Sequence, residues 1–363
     1  MIRSNKFPCN LKLADLAPLH KKLESIYKEN YRQISLLKIV SKIFEKLMLK
    51  QMESYVERFL SVYLCGYRKG FNCQYVLLAM IEKWKMSLDR RGYAGAVLMD
   101  LSKAFDTINH ELLIAKLEKY GFSKNALFLI FDYLSNRWQR TKINISFSSW
   151  SELFSGVPQG SVLGPILFNI YLNDLFYLFE NTNVCNIADD TTPYVCSTSL
   201  PDLLNNLESD TTSAIMWFEY NYMKLNEEKC HFLFAGNTPE HMWVTVGETK
   251  IWESSQERLL GLIIDKNLNF EPHLELICKK ANAKVTALRR MVNILPFEKK
   301  KILMKSFIES QFSDCPLIWM FCSRKMNNKI NRIHERALRL VYDDYTDSFE
   351  NLLKRDNSFT IHH

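Results

Sequence analysis

Apolar residues along this chain alternate between helical spacing and short continuous runs. From Ser41 to Leu60, Ile43, Leu47 and Met48 recur at a helical period, which predicts a helix capped by Ser41 with Glu45 at a loose capping position. Ala94-Gly-Ala-Val-Leu-Met is a compact apolar run that stops at Asp100 and predicts a buried strand. Thr141-Lys-Ile-Asn-Ile-Ser-Phe alternates, as a half-exposed strand does. A loop punctuated by Gly and Pro then leads into Leu163 to Leu178, which has the length of a helix. Val184 to Ala188 and Thr192 to Cys196 predict the arms of a hairpin with Asp189-Asp190 at its tip. Leu203 to Phe218 predicts a helix, and Cys230 to Ala235, Met242 to Val246 and Leu259 to Ile264 predict strands. From Pro272 onward helical segments dominate, with Lys and Arg interleaved. The expected class is α+β, with an antiparallel sheet in the middle and mostly helical ends.

Composition narrows the class of molecule. The chain has 363 residues, 47% of them hydrophobic and 24% charged, enough for two or three lobes. No Ser/Gly/Pro-rich linker and no internal repeat divides it, so the lobes are expected to pack closely. With 11 Gly and 10 Pro it is neither collagen-like nor mucin-like. The longest apolar stretch, Val162 to Phe179, is broken by Asn169, Asn173 and Asp174, which argues against a membrane span. Met-Ile-Arg-Ser-Asn-Lys at the start leads into no apolar signal region. An intracellular protein, nuclear or cytoplasmic, is the expectation. The nine cysteines form no C-x-x-C pair and no zinc-spaced cluster, and read as small core hydrophobes.

Charge is unevenly spread. Residues 1–70 hold 14 Lys/Arg against 6 acids, and residues 279–340 hold 15 against 4. Between them, residues 71–278 hold 16 against 25. An acidic centre between basic flanks suits a polyanion gripped at its edges around a cation-binding centre.

Two acidic loci touch the predicted core: Asp100 closes an apolar strand, and Asp189-Asp190 tips an apolar hairpin. Acids set against apolar strands are costly unless compensated, and a divalent cation is a common compensation. Carboxylates from adjacent strands can bridge two Mg²⁺ ions about 3.5–4 Å apart. A bare Asp-Asp pair, by contrast, reads as a solvated turn.

The company of these acids decides between the two. Ala188-Asp189-Asp190, Asp100-Leu-Ser-Lys-Ala-Phe-Asp106 and Gly156-Val-Pro-Gln-Gly-Ser-Val-Leu-Gly-Pro165 stand in one chain. So do Asn30-Tyr-Arg-Gln-Ile-Ser-Leu-Leu37, Gly66-Tyr-Arg-Lys-Gly70, Met223-Lys-Leu-Asn-Glu-Glu-Lys-Cys230 and Leu259-Leu-Gly-Leu-Ile-Ile-Asp265. In order and spacing these segments resemble the palm motifs of reverse transcriptases, most closely those of non-LTR (LINE-type, jockey-like) retrotransposons. The resemblance runs from about Phe7 to His363.

It implies a right-hand polymerase fold, with fingers over 1–95, a palm with an antiparallel sheet over 96–268, a helical thumb over 269–345 and a short tail over 346–363. It implies an RNA-directed DNA polymerase that uses an RNA template, a DNA primer and dNTPs. Two Mg²⁺ ions, with Mn²⁺ as a substitute, would be held by Asp100, Asp189 and Asp190, with the Leu101 carbonyl as a further ligand. Phe105 matches the residue that packs against the sugar and excludes a 2′-hydroxyl. Gln159 would meet the base edge or sugar of the nucleotide. Arg68 would reach the incoming triphosphate, and Lys229, with Lys224 as competitor, would protonate the departing pyrophosphate. Leu259 to Asp265 resembles the hairpin that positions the primer end. Lys279, Lys280, Lys284, Arg289 and Arg290 would bind duplex phosphates, while Trp319 and Phe321 either stack on bases or belong to the core.

This sequence departs from the family pattern at Ile187, where an aromatic residue is usual, at Gln33 in place of Pro, and at Tyr67 in place of Phe. Family proteins also carry an N-terminal endonuclease and continue beyond the point matching Thr360-Ile-His-His. The polymerase portion of a larger element, or a decayed genomic copy, is therefore expected. The rivals are a catalytically silent nucleic-acid-binding remnant and an RNA-templated RNA polymerase, the latter disfavoured by Phe105.

Overall fold

In the computed structural model, residues 5–21, 24, 26–237, 241–313 and 322–361 are described. Two sheets organise them. The first is built by β1 (Leu13–His20), β2 (Tyr31–Leu36), β4 (Arg137–Ile143), β5 (Ser146–Phe147) and β6 (Ser151–Leu153), in the order β2-β1-β4-β5 with β6 also on β4. The second has six strands: β3 (Tyr93–Leu98), β7 (Asn183–Ile187), β8 (Asp190–Ser197), β9 (His231–Ala235), β10 (Trp243–Val246) and β11 (Thr249–Ser254). Their order is β10-β11-β9-β3-β8-β7. Its pairings are antiparallel except β9 with β11.

β3 sits at the heart of this second sheet because its sequence, Tyr-Ala-Gly-Ala-Val-Leu, is apolar on both faces. On one face, Ala94 and Ala96 join Val76, Met80 and Trp84 of α2 (Cys73–Asp89). On the other, a Cβ on Gly95 would stand 2.9 Å from Leu203 and 3.0 Å from Leu207 of α6 (Leu200–Tyr220), so only glycine lets that helix lie so close. Between β3 and β4 run α3 (His110–Lys119) and α4 (Lys124–Leu134); after β11 the described residues form a two-stranded hairpin, β12 (Gln256–Leu259) and β13 (Leu262–Asp265), and then α7 (Glu271–Met291), α8 (Phe297–Leu303), α9 (Arg324–Tyr342) and α10 (Phe349–Asp356).

Several sequence expectations need correction. The first helix, α1 (Ile39–Val56), is preceded by Lys38, and Ser41 lies buried inside it rather than capping it. Its hydroxyl donates to Glu45 at 2.9 Å. Glu45, fully buried, instead caps a different helix, α5 (Gly164–Leu172), by accepting from the amides of Val162 at 2.6 Å and Leu163 at 3.3 Å. The helix expected through Leu178 breaks into a 3₁₀ turn at Asn173. The Leu259 to Ile264 strand is a hairpin broken at Leu260-Gly261, both at positive φ. The N-terminal region holds β1 and β2 rather than helix alone. Pro18 of β1 lies past the four residues that pair with β4, where an amide is dispensable. Residues 137–153, inside the expected palm span, belong to the first sheet.

Among the described cysteines, Cys65, Cys185, Cys230 and Cys278 are buried as expected, whereas Cys9 is exposed. Among the described residues, no helix is long and apolar enough to cross a membrane.

Glu45→Ala removes an anion that three donors share in a dry site, and is expected to cost about 2–3 kcal/mol. Urea unfolding checks this, through a lowered midpoint at an unchanged slope.

Candidate active site

Three short connections bring the acids together. Asp100 follows β3 and is stitched to the segment after α6: the Asn226 amide donates to the Asp100 carbonyl and the Ser102 amide to the Lys224 carbonyl, both at 2.8 Å. Leu101 bridges Leu225 between them, its side chain buried. This stitch carries the following turn past the acid, and Lys229 Nζ stands 3.7 Å from Asp100 Oδ2. The ion pair belongs to Lys229; Lys224 contributes its carbonyl.

Asp189 and Asp190 sit where β7 turns into β8, with Ile187 paired to Asp190 and the turn residue Ala188 at φ +57°. Asn186, buried beneath the turn, donates to the carbonyls of Ala188 at 3.1 Å and Asp190 at 3.2 Å and to Thr191 Oγ1 at 3.0 Å. Gly66 packs on the turn from outside; a Cβ there would stand 2.3 Å from the Ala188 nitrogen. Asn186 and Gly66 are the scaffold of the hairpin tip, and the sequence reading assigned neither.

The electrostatics show that the three acids share one site. Burial pushes the Asp190 carboxyl up to about 6, and the neighbouring charges of Asp189 and then Asp100 push the same way, against Arg32. The Tyr67 hydroxyl is raised by burial and by Asp189, and is also opposed by Arg32. Arg32 of β2, itself exposed, is therefore near enough to offset part of this charge. The sequence reading quoted the segment around Arg32 but gave the residue no role; only the pairing of β2 into the first sheet delivers it here.

Arg68 is corrected in the opposite sense. Its side chain is 8% exposed, donates to the carbonyls of Ser61 and Leu64 at 2.7 Å each, and pairs with Glu57 at 2.5 Å. Its guanidinium lies 4.5 Å from the Phe71 ring. These local partners engage its donors and hold the loop, rather than leaving it to reach a triphosphate.

Phe105 stacks on Phe168 with centroids 4.4 Å apart and meets the edge of Tyr67 at 6.1 Å. Three rings thus form a wall beside the acids. The loop behind it fits only with glycine at 156, where a Cβ would stand 2.7 Å from Asp106 Cα. Gln159 is half-buried, and its carbonyl accepts from the Ser35 amide of β2 at 2.8 Å, tying this loop to the first sheet. On the other side of the acids, a 240 Å³ cavity is lined by Asp100, Asp190, Lys229, His231, Arg258 and Leu260. Arg258 and His231, contributed by β12 and β9, were not foreseen.

On α7, Lys279, Lys280, Arg289 and Arg290 are exposed, opposite the buried Ile277, Ala281, Val285 and Leu288. Lys284 is half-buried with its ammonium 5.7 Å from Phe307. Trp319 and Phe321 lie outside the described residues. Among the described residues, no three carboxylate, imidazole or thiol side chains converge closely enough, as they lie, to enclose a metal ion.

The chain is similar to known proteins over most of its length. The family described as reverse transcriptase (RNA-dependent DNA polymerase) matches residues 19–264. A probable RNA-directed DNA polymerase from transposon BS of Drosophila melanogaster is 26% identical over 94% of this chain and 40% of its own length. The RNA-directed DNA polymerase from mobile element jockey of the same species is 24% identical over 92% and 38%. The chain thus spans about two fifths of these relatives. Among solved structures, apo telomerase from Candida tropicalis superposes over 95% of this chain and 59% of its own, with a TM-score of 0.51 at 12% identity. The same protein truncated from its C-terminal domain covers 70% of this chain and 54% of its own, with a TM-score of 0.50 at 14% identity. At such identities the likeness concerns the fold alone, and it agrees with the expected right-hand α+β architecture.

A carboxyl whose folded pKa is raised destabilises the fold once it ionises. Asp190→Asn is therefore expected to raise the melting temperature at neutral pH by about 1–3 °C, allowing for its partial exposure. The gain should shrink as pH falls through about 6 and vanish below about 4, where Asp190 is protonated in both states. Melting curves across that range check it.

Proposed function

Because the chain belongs to the reverse transcriptase (RNA-dependent DNA polymerase) family, and its relatives are polymerases of non-LTR retrotransposons, we propose that it extends a DNA primer along an RNA template. The observation that carries this reading is the convergence of Asp100, Asp189 and Asp190, where burial and then the charges of Asp189 and Asp100 leave Asp190 with a raised pKa although Arg32 stands nearby. A site with excess negative charge of this kind fits divalent cations, on which reverse transcriptases depend. Asp100, Asp189 and Asp190 would hold two Mg²⁺ ions, with Mn²⁺ as a substitute and the Leu101 carbonyl as a further oxygen. When bound, such ions favour deprotonation of the primer hydroxyl and neutralise charge on the leaving pyrophosphate.

The residues of the chain divide the remaining work. Arg32 lies where it can pair with the triphosphate of an incoming dNTP, the role first expected of Arg68. Phe105, braced by Phe168 and Tyr67, offers a rigid ring against the sugar. A rigid ring excludes a 2′-hydroxyl sterically, whereas a mobile one would give way. Gln159 sits on the loop joining that wall to β2, in position to meet base or sugar. Lys229, already 3.7 Å from Asp100, is placed to give a proton to the departing pyrophosphate. β12 and the turn after it border the cavity through Arg258 and Leu260, on the side we assign to the primer. The exposed cations of α7 would meet phosphates of the product duplex. In lobe terms, we read β1, β2 and β4–β6 with α1 as fingers, the six-stranded sheet as palm and the helices from α7 as thumb.

Asp100→Asn and Asp189→Asn are each expected to lower primer extension on an annealed RNA template by at least about a hundredfold. Full incorporation by either variant overturns the reading. Phe105→Ala is expected to retain dNTP incorporation while raising the rNTP-to-dNTP ratio by about tenfold or more, loss of one steric clash being worth over about 1.4 kcal/mol; single-nucleotide incorporation assays check it. An unchanged ratio removes Phe105 from sugar selection.

A further inference from the structure

One peptide plane behind the ring wall is gripped at both ends. The loop of residues 155–157 lies against the turn that carries Phe105. The Gly156 amide donates to the Ile108 carbonyl at 2.7 Å, the Val157 amide to the Phe105 carbonyl at 2.9 Å, and the Ser155 hydroxyl to the Asp106 carbonyl at 3.0 Å. The Val157 N–H belongs to the same peptide unit as the Gly156 C=O, and Nε2 of His110 donates to that oxygen at 2.7 Å. A carbonyl can only accept, so Nε2 carries the proton. Because the unit is planar, fixing its oxygen fixes the direction in which its N–H points.

The surroundings keep His110 in this place. It opens α3, whose cap Asn109 accepts from the Leu112 amide at 2.9 Å, and it is 8% exposed. Burial holds its pKa below the ordinary value, opposed by the Gly156 carbonyl and aided by Arg137, so the ring adds no charge beside the acids at neutral pH. Gly156 is buried at φ +84°, a residue type whose backbone turns more freely than any other, so the plane that follows it needs an outside anchor. Of the two side chains that tie the loop to the turn, Ser155 is exposed and His110 is buried.

We infer that His110 is a positioning residue for sugar selection: through the Gly156–Val157 peptide it holds the backbone of Phe105, and with it the ring, where a 2′-hydroxyl is excluded. Phe168 and Tyr67 brace the ring at its face and edge. The His110 bond braces the backbone beneath it. A ring held only by other side chains has room to retreat from a ribose. This role rests on the polymerase reading and deepens it.

Incorporation of rNTP against dNTP tests it, each expressed as kcat/KM on one annealed RNA template. A folding defect lowers the active fraction for both nucleotides alike and leaves their ratio alone, whereas a displaced ring moves the ratio. His110→Ala should raise the rNTP-to-dNTP ratio about threefold or more, the worth of one lost hydrogen bond. His110→Phe keeps a ring in the buried site and removes the donor; it should do the same, so the test stands even if the alanine variant fails to fold. His110→Gln, whose amide nitrogen can donate to the Gly156 carbonyl, should bring the ratio back to within about twofold of the parent. Adding His110→Ala to Phe105→Ala should leave the ratio of Phe105→Ala unchanged, since the histidine acts through that ring. Amide exchange gives a readout without chemistry: Val157 should exchange about tenfold faster in His110→Ala and His110→Phe than in the parent, with β3 unaffected. An active parent whose ratio no variant moves, or a double variant whose effects add, overturns the inference and leaves the polymerase reading standing. Unchanged exchange at Val157 overturns it whatever the activity. A parent that incorporates neither nucleotide sinks the polymerase reading, and the selection role with it.

Discussion

Like charge held at close quarters is the constraint on which this structure turns. Burial, joined by the charges of Asp189 and Asp100, lifts Asp190 well above an ordinary carboxylate, and nothing in the acids' own chemistry would keep them together. They stay because the backbone under each is fixed. Asp100 is stitched to Asn226. The hairpin tip is held by Asn186 from below and admitted by Gly66 from above. Stability given up to bury like charge fits a functional site rather than a packing core.

Around that centre the two sheets have separate tasks. The six-stranded sheet carries the acids at the ends of β3, β7 and β8 and has helices packed on both its faces. The first sheet supplies Arg32, near enough to offset part of their charge. Two small connections couple them: the Gln159 carbonyl on the Ser35 amide, and Glu45 of α1 on the amides that open α5. Both join backbone to backbone or to a buried charge, so the placing of Arg32 near the acids rests on short, directional bonds. The ring wall of Phe105, Phe168 and Tyr67 stands beside the same acids. In this chain Tyr67 adds a hydroxyl that feels Asp189 and Asp190, which a phenylalanine would not.

Much of this was legible in the sequence. Short apolar runs and helical spacing located β3, the β7–β8 hairpin and α6 to within a few residues, because each buries a continuous apolar face. The three acids were legible only through the motifs around them, since a bare Asp-Asp pair reads as a solvated turn. What misled was local chemistry with a remote answer. Ser41 and Glu45 have the look of a cap for their own helix, yet Glu45 caps α5. Arg68 stands in a motif that points to phosphate, yet Glu57 and two carbonyls hold it.

The sequence by itself determined which residues are acids and rings, and where strands and helices run, since those properties depend on neighbours a few positions away. It also determined family membership, through motifs whose order survives at about a quarter identity. Only the tertiary structure decided which cation lies near the acids, because Arg32 and Arg68 are equally basic and differ only in what packs against them. It alone placed Lys229 rather than Lys224 beside Asp100, through a backbone stitch that no side-chain pattern records. And it alone joined β2, β1 and β4 into one sheet. Strand register between segments a hundred residues apart is set by burial of the opposite face, and that is a property of the assembled sheet.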